Sequence, residues 1–221
     1  MRQELHETGF CNFLYQKLQN RNALAVLFLI EIKHFYQKVV LVSVGRLAII
    51  LYYEFFIKED LPMTDEAYMQ EALLLAKEAA AEGEVPVGCV IVDGDRIVGR
   101  GRNRRETAKN ALCHAELEAI DQACRTLGGW RLWRCTMYVT LEPCPMCTGA
   151  IINARLPRLV YGAADLKAGS CGSLVNLFDF PYNSKPTVTA GVLEEECKAE
   201  LQAFFRNLRA NPVVKTWKKP K

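Results

Sequence analysis

The chain has 221 residues, about half of them hydrophobic, and a formal net charge of +3. This length allows one domain with an extension, or barely two, and a core of usual size. The mild charge permits nucleic-acid binding without arguing strongly for it, because highly basic domains are the clearer signal. The nine cysteines argue against a disulfide framework, since they are odd in number, unpaired in pattern and preceded by no convincing secretory signal. We therefore expect a reducing, cytoplasmic setting with free or metal-bound thiols.

Residues 1–62 differ in composition from the rest of the chain. They contain an apolar run of eight residues, too short to span a bilayer, and a longer run at 39–57 that carries Arg46 and Glu54. Because a membrane helix needs roughly 20 apolar residues with few charges, the longer run is a marginal candidate for membrane attachment. A buried accessory segment and translated sequence upstream of the true start are the alternatives. We favour the last, because a helix cap and acidic residues follow Met63, as at a natural N-terminus. The extension is then not native, or poorly ordered.

The chain becomes regular after residue 63. Apolar residues at helical spacing from Thr64, stopped by Gly83, predict a first helix. A strand at Val85–Val92, the tight turn Asp93-Gly94 and a second strand at Arg96–Arg102 predict a hairpin.

Further strands alternate with helices along the remaining chain. The predicted elements are a helix at His114–Leu127, a strand at Thr136–Leu141, a helix at Cys144–Ala154, strands at Arg158–Gly162 and Thr187–Val192, and a last helix from Glu194 to about Leu208. This alternation implies an α/β protein with helices on both faces of one sheet. The predicted architecture is a three-layer α/β/α sandwich with a mixed five-stranded sheet.

Four arginines lie in the second half of the second strand and just beyond it, close in sequence to the following helix. They are Arg100, Arg102, Arg104 and Arg105. Such charges either protect a solvated edge strand or contact phosphates. The sequence leaves these two interpretations near even.

Two motifs carry the chemistry: CHAE at residues 113–116 and EPCPMC at residues 142–147. Each lies where a helix is predicted to begin. One imidazole and two thiolates are typical zinc ligands, and three protein ligands leave the fourth position open for water, as in a catalytic site. Helix N-termini favour the thiolate forms of Cys144 and Cys147. His114 is the sole histidine from residue 63 onward, so any His-containing site there must include it.

Glu116 lies two residues after His114, where it could move the protons of a zinc-bound water. It would accept the water proton, give one to a ring nitrogen and help to protonate leaving ammonia. An acid in the first turn of a helix by itself only complements the dipole. Beside His114 and the cysteine pair, the catalytic interpretation is favoured, and the motifs predict a hydrolytic deaminase.

The other cysteines of this region need a separate interpretation. Cys113 as a fourth ligand would make the site structural, but adjacent residues at a helix start usually diverge, which favours a buried or pocket-edge thiol. The remaining ones are interpreted as small core residues. They are Cys89, Cys124, Cys135, Cys171 and Cys197.

Both motifs together match the H-x-E…P-C-x-x-C signature of zinc nucleobase deaminases. Four longer stretches narrow the resemblance: EVPVGCVIVDGDRIVGRGRN, YVTLEPCPMCTGAIINAR, LVYGAADLKAGSCGSLVNL and FFRNLR. They closely resemble the bacterial tRNA-specific adenosine deaminases, which convert adenosine at the anticodon wobble position (34) to inosine. The resemblance covers roughly residues 63–211.

This resemblance implies a site and an assembly. His114, Cys144 and Cys147 would bind one zinc ion per subunit, with Glu116 as the proton donor. The implied fold of residues 63–221 is cytidine-deaminase-like, the implied assembly is a homodimer, and the implied partner is a tRNA anticodon stem-loop, with no membrane partner.

The resemblance also implies substrate contacts. The residues implied in substrate binding are Pro86, Val87, Asn103, Ala115 and Asp165. Asn103 would help to hold the flipped nucleoside, and Asp165 would lie near the backbone of the bound nucleotide. Two departures concern the pocket rim: Cys113 replaces a small residue, and Ala164 stands where an arginine is often seen.

Two other functions are compatible with the zinc motifs. A deaminase of free guanine, free cytosine or deoxycytidylate would share them, because they serve the chemistry and not the choice of substrate. The flanking stretches and the basic C-terminal end favour tRNA instead. A zinc-stabilised binding or structural protein would need neither Glu116 nor an open coordination position.

Overall fold

The computed structural model describes residues 63–211. The interpretations of residues 1–62 and of the basic tail concern parts of the chain outside the described residues. The elements are α1 (Asp65–Ala81), β1 (Gly88–Asp93), β2 (Arg96–Arg102), α2 (Ala115–Leu127), β3 (Cys135–Leu141), α3 (Pro145–Ala154), β4 (Arg158–Ala163), a 3₁₀ helix (Leu177–Asp179), β5 (Thr187–Ala190) and α4 (Glu194–Ala210). Within residues 63–211, none of the helices has the length and apolar character needed to cross a membrane.

The strands form one mixed sheet in the order β2-β1-β3-β4-β5. β1 pairs antiparallel with β2 and β3, whereas the β3–β4 and β4–β5 pairs are parallel. Leu141 at the end of β3 pairs with Ala163 at the end of β4, and Gly88 at the start of β1 pairs with Arg102 at the end of β2. These four strand ends therefore lie at one edge of the sheet, where the loops that carry both motifs emerge.

Helices cover both faces of the sheet, which confirms the predicted three-layer α/β/α sandwich. Ile91 and Met137 pack against α2 and α3, while their chain neighbours Val90 and Tyr138 pack against α1 and α4. Successive residues of a strand point to opposite faces. The near-continuous apolar sequences of β1 and β3 therefore supply two cores at once.

The close approach of α2 to β2 depends on glycines in the strand. A Cβ atom at Gly99 would overlap the backbone of Ala119, and one at Gly101 would overlap the backbone of Ala115. Since Ala115 is the first residue of α2, this approach fixes the position of His114 directly before it.

A polar cluster ties α1 to the sheet. Asp65 accepts hydrogen bonds from the Tyr138 hydroxyl at 2.8 Å and from Nη1 and Nη2 of Arg158 at 2.8 and 2.5 Å. The hydrogen bonds from Arg158 hold the pKa of the Asp65 carboxyl below its usual value of 3.8. The first turn of α1 is thereby joined to β3 and β4.

The start of β1 differs from the prediction. The strand begins at Gly88 and not at Val85, because the preceding residues turn locally: the backbone N–H of Val87 donates to the carbonyl of Val85 at 2.8 Å. The sequence could not show this, since Val85 and Val87 have strong strand propensity. The local turn leaves both side chains half-buried at the motif-bearing edge of the sheet.

Candidate active site

The two motifs meet where α2 and α3 begin. His114 is the N-cap of α2 and Cys144 the N-cap of α3, and both have extended backbone. Cys147 lies one turn further along α3 and is fully buried. The structure brings the ligand atoms of these three residues within 4.8 Å of one another.

The distances between these atoms fit a tetrahedral zinc site. Nδ1 of His114 lies 3.7 Å from Sγ of Cys144 and 3.5 Å from Sγ of Cys147. Zinc bonds of about 2.3 Å to sulfur and about 2.0–2.1 Å to nitrogen, at tetrahedral angles, place sulfur and nitrogen roughly 3.6 Å apart. The donor set and its spacing are therefore those of a metal site.

The protonation of the two thiols also suits metal binding. Hydrogen bonds from Cys147 and His114 lower the pKa of Cys144 to about 4, so Cys144 is a thiolate at neutral pH. The same contact with Cys144, together with burial, raises the pKa of Cys147. A metal cation would replace the remaining thiol proton, because cysteine binds metals as the thiolate.

Cys113 does not join the group of ligand atoms. Among residues 63–211, His114, Cys144 and Cys147 form the one group of this kind, so no fourth protein ligand closes the tetrahedron there. Cys113 itself is half-buried. The cysteines interpreted as core residues are buried, except for Cys124, which is half-buried.

Glu116 lies in the first turn of α2 with its side chain only 4% exposed. Burial raises the pKa of its carboxyl above the usual value. A carboxyl with a raised pKa takes up and releases protons closer to neutral pH, which suits a general acid–base residue.

A cavity of about 200 Å³ opens beside these residues. At about 30 Å³ per water molecule, this is roughly the space of six or seven waters, enough for one flat heterocycle with a water beside it. Four of the predicted substrate-binding residues line it: Val87, Asn103, Ala115 and Asp165. Pro86 is buried and lies outside the lining.

Hydrogen bonds hold the Asn103 side chain in the cavity wall. Its Nδ2 donates to the carbonyl of Val85 at 3.3 Å and to Oε2 of Glu84 at 3.5 Å. Glu84 is fully buried, and its Oε1 also accepts the backbone N–H of Thr107 at 2.6 Å. Because Nδ2 is used within the protein, the amide oxygen of Asn103 is the group left for a ligand.

Sequence reasoning missed Glu142, which it quoted only as part of the second motif. This residue lines the cavity, is 2% exposed and accepts three backbone N–H groups. Oε2 accepts from Asp165 at 3.1 Å, and Oε1 accepts from Cys171 at 2.9 Å and Ser173 at 3.0 Å. Burial would raise the pKa of Glu142, but the hydrogen bonds from Ser173, Asp165 and Cys171 lower it below its usual value. An acid directly after a buried strand was the available signal, since such a group needs partners.

The four arginines at the end of β2 and just beyond it divide between the two interpretations. Three of them form ion pairs with acids that lie in a helix or directly after one. These pairs are Arg100–Glu71, Arg102–Glu82 and Arg104–Glu118. Arg105 lines the cavity instead, and within residues 63–211 it pairs with no carboxylate. One cation is therefore left at the mouth of the site.

Comparison with known proteins shows the family. Residues 63–209 match the MafB19-like deaminase family. The chain belongs to this family. Over 146 residues it is 51% identical to the tRNA-specific adenosine deaminase of Bacillus subtilis. This match covers 66% of this chain and 91% of that protein. Over 147 residues it is 46% identical to the enzyme of the same name from Haemophilus influenzae, covering 66% and 85%.

A solved structure has the same fold as this deaminase. It comes from biochemical and structural studies of A-to-I editing by tRNA:A34 deaminases at the wobble position of transfer RNA. The TM-score is 0.59 at 41% identity, and the match covers 61% of this chain and 98% of that one. These similarities confirm the resemblance seen in the motifs and the cytidine-deaminase-like architecture.

Proposed function

We propose that this deaminase converts adenosine to inosine at the wobble position (34) of tRNA anticodons, with zinc as its cofactor. The observation that carries the proposal is the His114–Cys144–Cys147 group next to buried Glu116, at a cavity sized for one base. The identity of 51% with a tRNA-specific adenosine deaminase supports the choice of substrate.

The residues of the site divide the reaction between them. His114, Cys144 and Cys147 would hold the zinc ion. A bound zinc ion supplies Lewis acidity that lowers the pKa of a water molecule from 15.7 to about 7. Glu116 accepts one proton of the water and donates it to a ring nitrogen of adenine. It then accepts the second proton, from the hydroxyl group added at C6, and donates it to the departing amine. The water oxygen bonds to C6, the C6–N bond breaks, and ammonia and inosine are the products.

The size of the cavity requires the target nucleotide to leave the base stack. Its volume of about 200 Å³ admits a base and not a stacked pair of nucleotides. Flipping costs least in single-stranded regions such as an anticodon loop. Asn103 contacts the flipped base through its amide oxygen, Val87 and Ala115 pack beside it, and Asp165 lies near the nucleotide backbone.

A second cavity supports a polynucleotide over a free base. This basic groove of about 480 Å³ is lined by Lys167, Leu201, Gln202, Phe205, Arg206 and Arg209. Its cations suit phosphates, and the exposed ring of Phe205 suits base stacking. Lys167 belongs to the same loop as Asp165 of the active-site cavity, so one nucleic-acid strand can contact both. A free base bound in the active-site cavity would not use the groove.

Three further features complete the proposal. Residues 63–221 form the catalytic domain, supported by the family match over residues 63–209. The subunits form a homodimer, and the enzyme works in the cytoplasm, where its tRNA substrate is found. Sedimentation of the purified chain, with and without a stem-loop, measures whether the chain is dimeric. A monomer under both conditions contradicts the proposed homodimer.

The test is deamination of an anticodon stem-loop by the zinc-loaded full chain. We expect inosine only at position 34 in a stem-loop with adenosine there, and none in a matched stem-loop whose adenosine lies elsewhere. Nucleoside analysis by mass spectrometry detects the product. Turnover of free guanine or cytosine without inosine in the stem-loop would overturn the tRNA assignment.

A further inference from the structure

We propose that Glu142 is a positioning residue that fixes the cavity wall formed by residues 165–173 to the end of β3, directly beside the ligand Cys144. The wall segment carries two cavity-lining residues, Asp165 and Ala168, and also Lys167 of the basic groove. The kinetic part of this inference rests on the proposed deamination of tRNA.

The carboxylate holds the segment at three points along its length. It accepts the backbone N–H groups of Asp165, Cys171 and Ser173, all within 3.1 Å. Hydrogen bonds to an ionised carboxylate in a buried site are stronger than those between neutral groups. One donor, Asp165, is the first cavity-lining residue of the segment, and the other two lie beyond Ala168, so one side chain holds the wall at both ends.

Gly169 gives an independent indication that the segment is shaped around this carboxylate. A Cβ atom there would overlap Oε2 of Glu142 and the carbonyl oxygen of Asp165. Its φ is not in the left-handed region, so the backbone conformation does not by itself require glycine. The next residue extends the attachment, because the N–H of Ser170 donates to the carbonyl of Pro143 at 2.9 Å.

The contacts of Glu142 fit positioning and not proton transfer. Both of its oxygens accept backbone N–H groups of the wall segment, an arrangement that holds the backbone in place. Within residues 63–211 Glu116 has no comparable set of backbone donors, and it is the acid–base residue of the proposed reaction. Loss of the Glu142 contacts should therefore weaken substrate binding more than chemistry.

The test compares Glu142→Gln with Gly169→Ala in the zinc-loaded full chain. Glutamine keeps the shape but turns an NH₂ group toward at least one N–H donor, and alanine displaces the carboxylate from the other side. We expect both variants to raise KM for the stem-loop by on the order of 10-fold while kcat falls less than about 3-fold. Zinc content should equal that of the wild type. In the double variant, KM should rise by less than the product of the two single effects, because both substitutions break the same contact.

Gly129→Ala is the matched control, since its added Cβ would meet nothing within 4 Å. We expect wild-type KM and kcat from this variant. Hydrogen exchange by mass spectrometry provides a readout that does not need activity. Exchange in peptides covering residues 165–173 should be on the order of 10-fold or more faster in Glu142→Gln and Gly169→Ala than in the wild type.

Unchanged exchange and unchanged KM in both variants would overturn the positioning role. Zinc loss with a collapse of kcat in either variant would also overturn it, because Glu142 would then act through the ligands. If Glu142→Gln does not fold, Gly169→Ala decides by the same criteria. A wild-type chain that forms no inosine contradicts the proposed function alone, since the exchange measurement still tests the attachment.

Discussion

Two buried carboxylates at the same cavity have pKa values displaced in opposite directions. Burial raises the pKa of Glu116, whereas backbone N–H groups hold that of Glu142 below its usual value. Environments that separate the pKa values of paired acids also separate their roles. In the proposed reaction Glu116 transfers the protons, whereas Glu142 is proposed to hold the cavity wall.

Replacing Glu116 by Gln should remove the proton carrier and leave the metal in place. We expect kcat on the stem-loop to fall by about 10²–10⁴-fold, the usual contribution of general acid–base catalysis. Elemental analysis should still find one zinc per chain. Loss of zinc together with activity would contradict the assignment, because Glu116 would then be needed for metal binding.

Replacing Cys144 by Ala should abolish zinc-dependent stabilisation. A ligand that binds only the folded state adds about 2.7 kcal/mol at a free concentration of 100 times its Kd. Thermal unfolding with buffered zinc should therefore shift upward for the wild type and stay constant for the variant. An equal shift in both proteins would place the zinc elsewhere.

At the scale of elements, the hairpin was predictable and the shape of the cavity was not. The Asp93-Gly94 turn fixed β2 at Arg96–Arg102, as observed, because a tight turn sets the strand register. The local turn before Gly88, which places Val87 in the cavity, depends on backbone contacts that residue type does not reveal. Likewise, the sequence did not indicate why β2 contains Gly99 and Gly101, because the reason is the close approach of α2 in the folded protein.

Substituting Gly101 by Ala should push the start of α2 away from the sheet. The added methyl would overlap the backbone of Ala115, and overpacking of this kind costs about 1–3 kcal/mol. We expect a lower free energy of unfolding, measured in urea. We also expect weaker zinc binding, because His114 directly precedes Ala115. Gly129→Ala, at an open position, should change neither; reduced zinc affinity in both variants would argue against a local cause.

The Asp65–Arg158 contact should give a pH-dependent difference in stability. Because the pKa of Asp65 is lowered below 3.8 on folding, the contact contributes fully above that value and is lost as pH falls through the lower, folded-state pKa. Asp65→Asn should therefore cost about 1 kcal/mol at pH 7, a figure reduced for the partial exposure of both side chains. Urea unfolding of both proteins at about pH 7 and about pH 3 measures this. A difference that grows toward acid pH would contradict the sign.

At the scale of the whole molecule, the mild net charge conceals a local concentration of cations. Arg206 and Arg209 of α4 face the same groove as Lys167 from the loop after β4, although about 40 positions separate them in sequence. The grouping of His114, Cys144 and Cys147 beside Glu116 was predictable because each motif is local. Arg105, Glu142 and the groove were not, since their roles arise from segments that meet only in the fold.

Arg206→Ala should weaken tRNA binding with little effect on chemistry. Removing one phosphate contact reduces the salt dependence of binding by about 0.7–0.9 in the slope of log K against log salt. Affinity for the stem-loop at several salt concentrations checks this. Arg125→Ala, which removes an exposed arginine paired with Asp121 on α2, is the control and should leave the slope unchanged. Equal slopes in all three proteins would exclude the groove from the tRNA interface.

The meeting of two helix N-termini at one ligand group has a topological consequence. A zinc ion joining His114 to Cys144 would be a cross-link that closes a loop of about 30 residues, which by chain entropy is worth roughly 3–4 kcal/mol. The eight cysteines of residues 63–211 form no disulfide bonds, so disulfides do not contribute to the stability of this part of the chain. The same ion that serves the chemistry would thus restrict the unfolded chain, and a chelator would act on this protein as a reductant acts on a disulfide-bonded one.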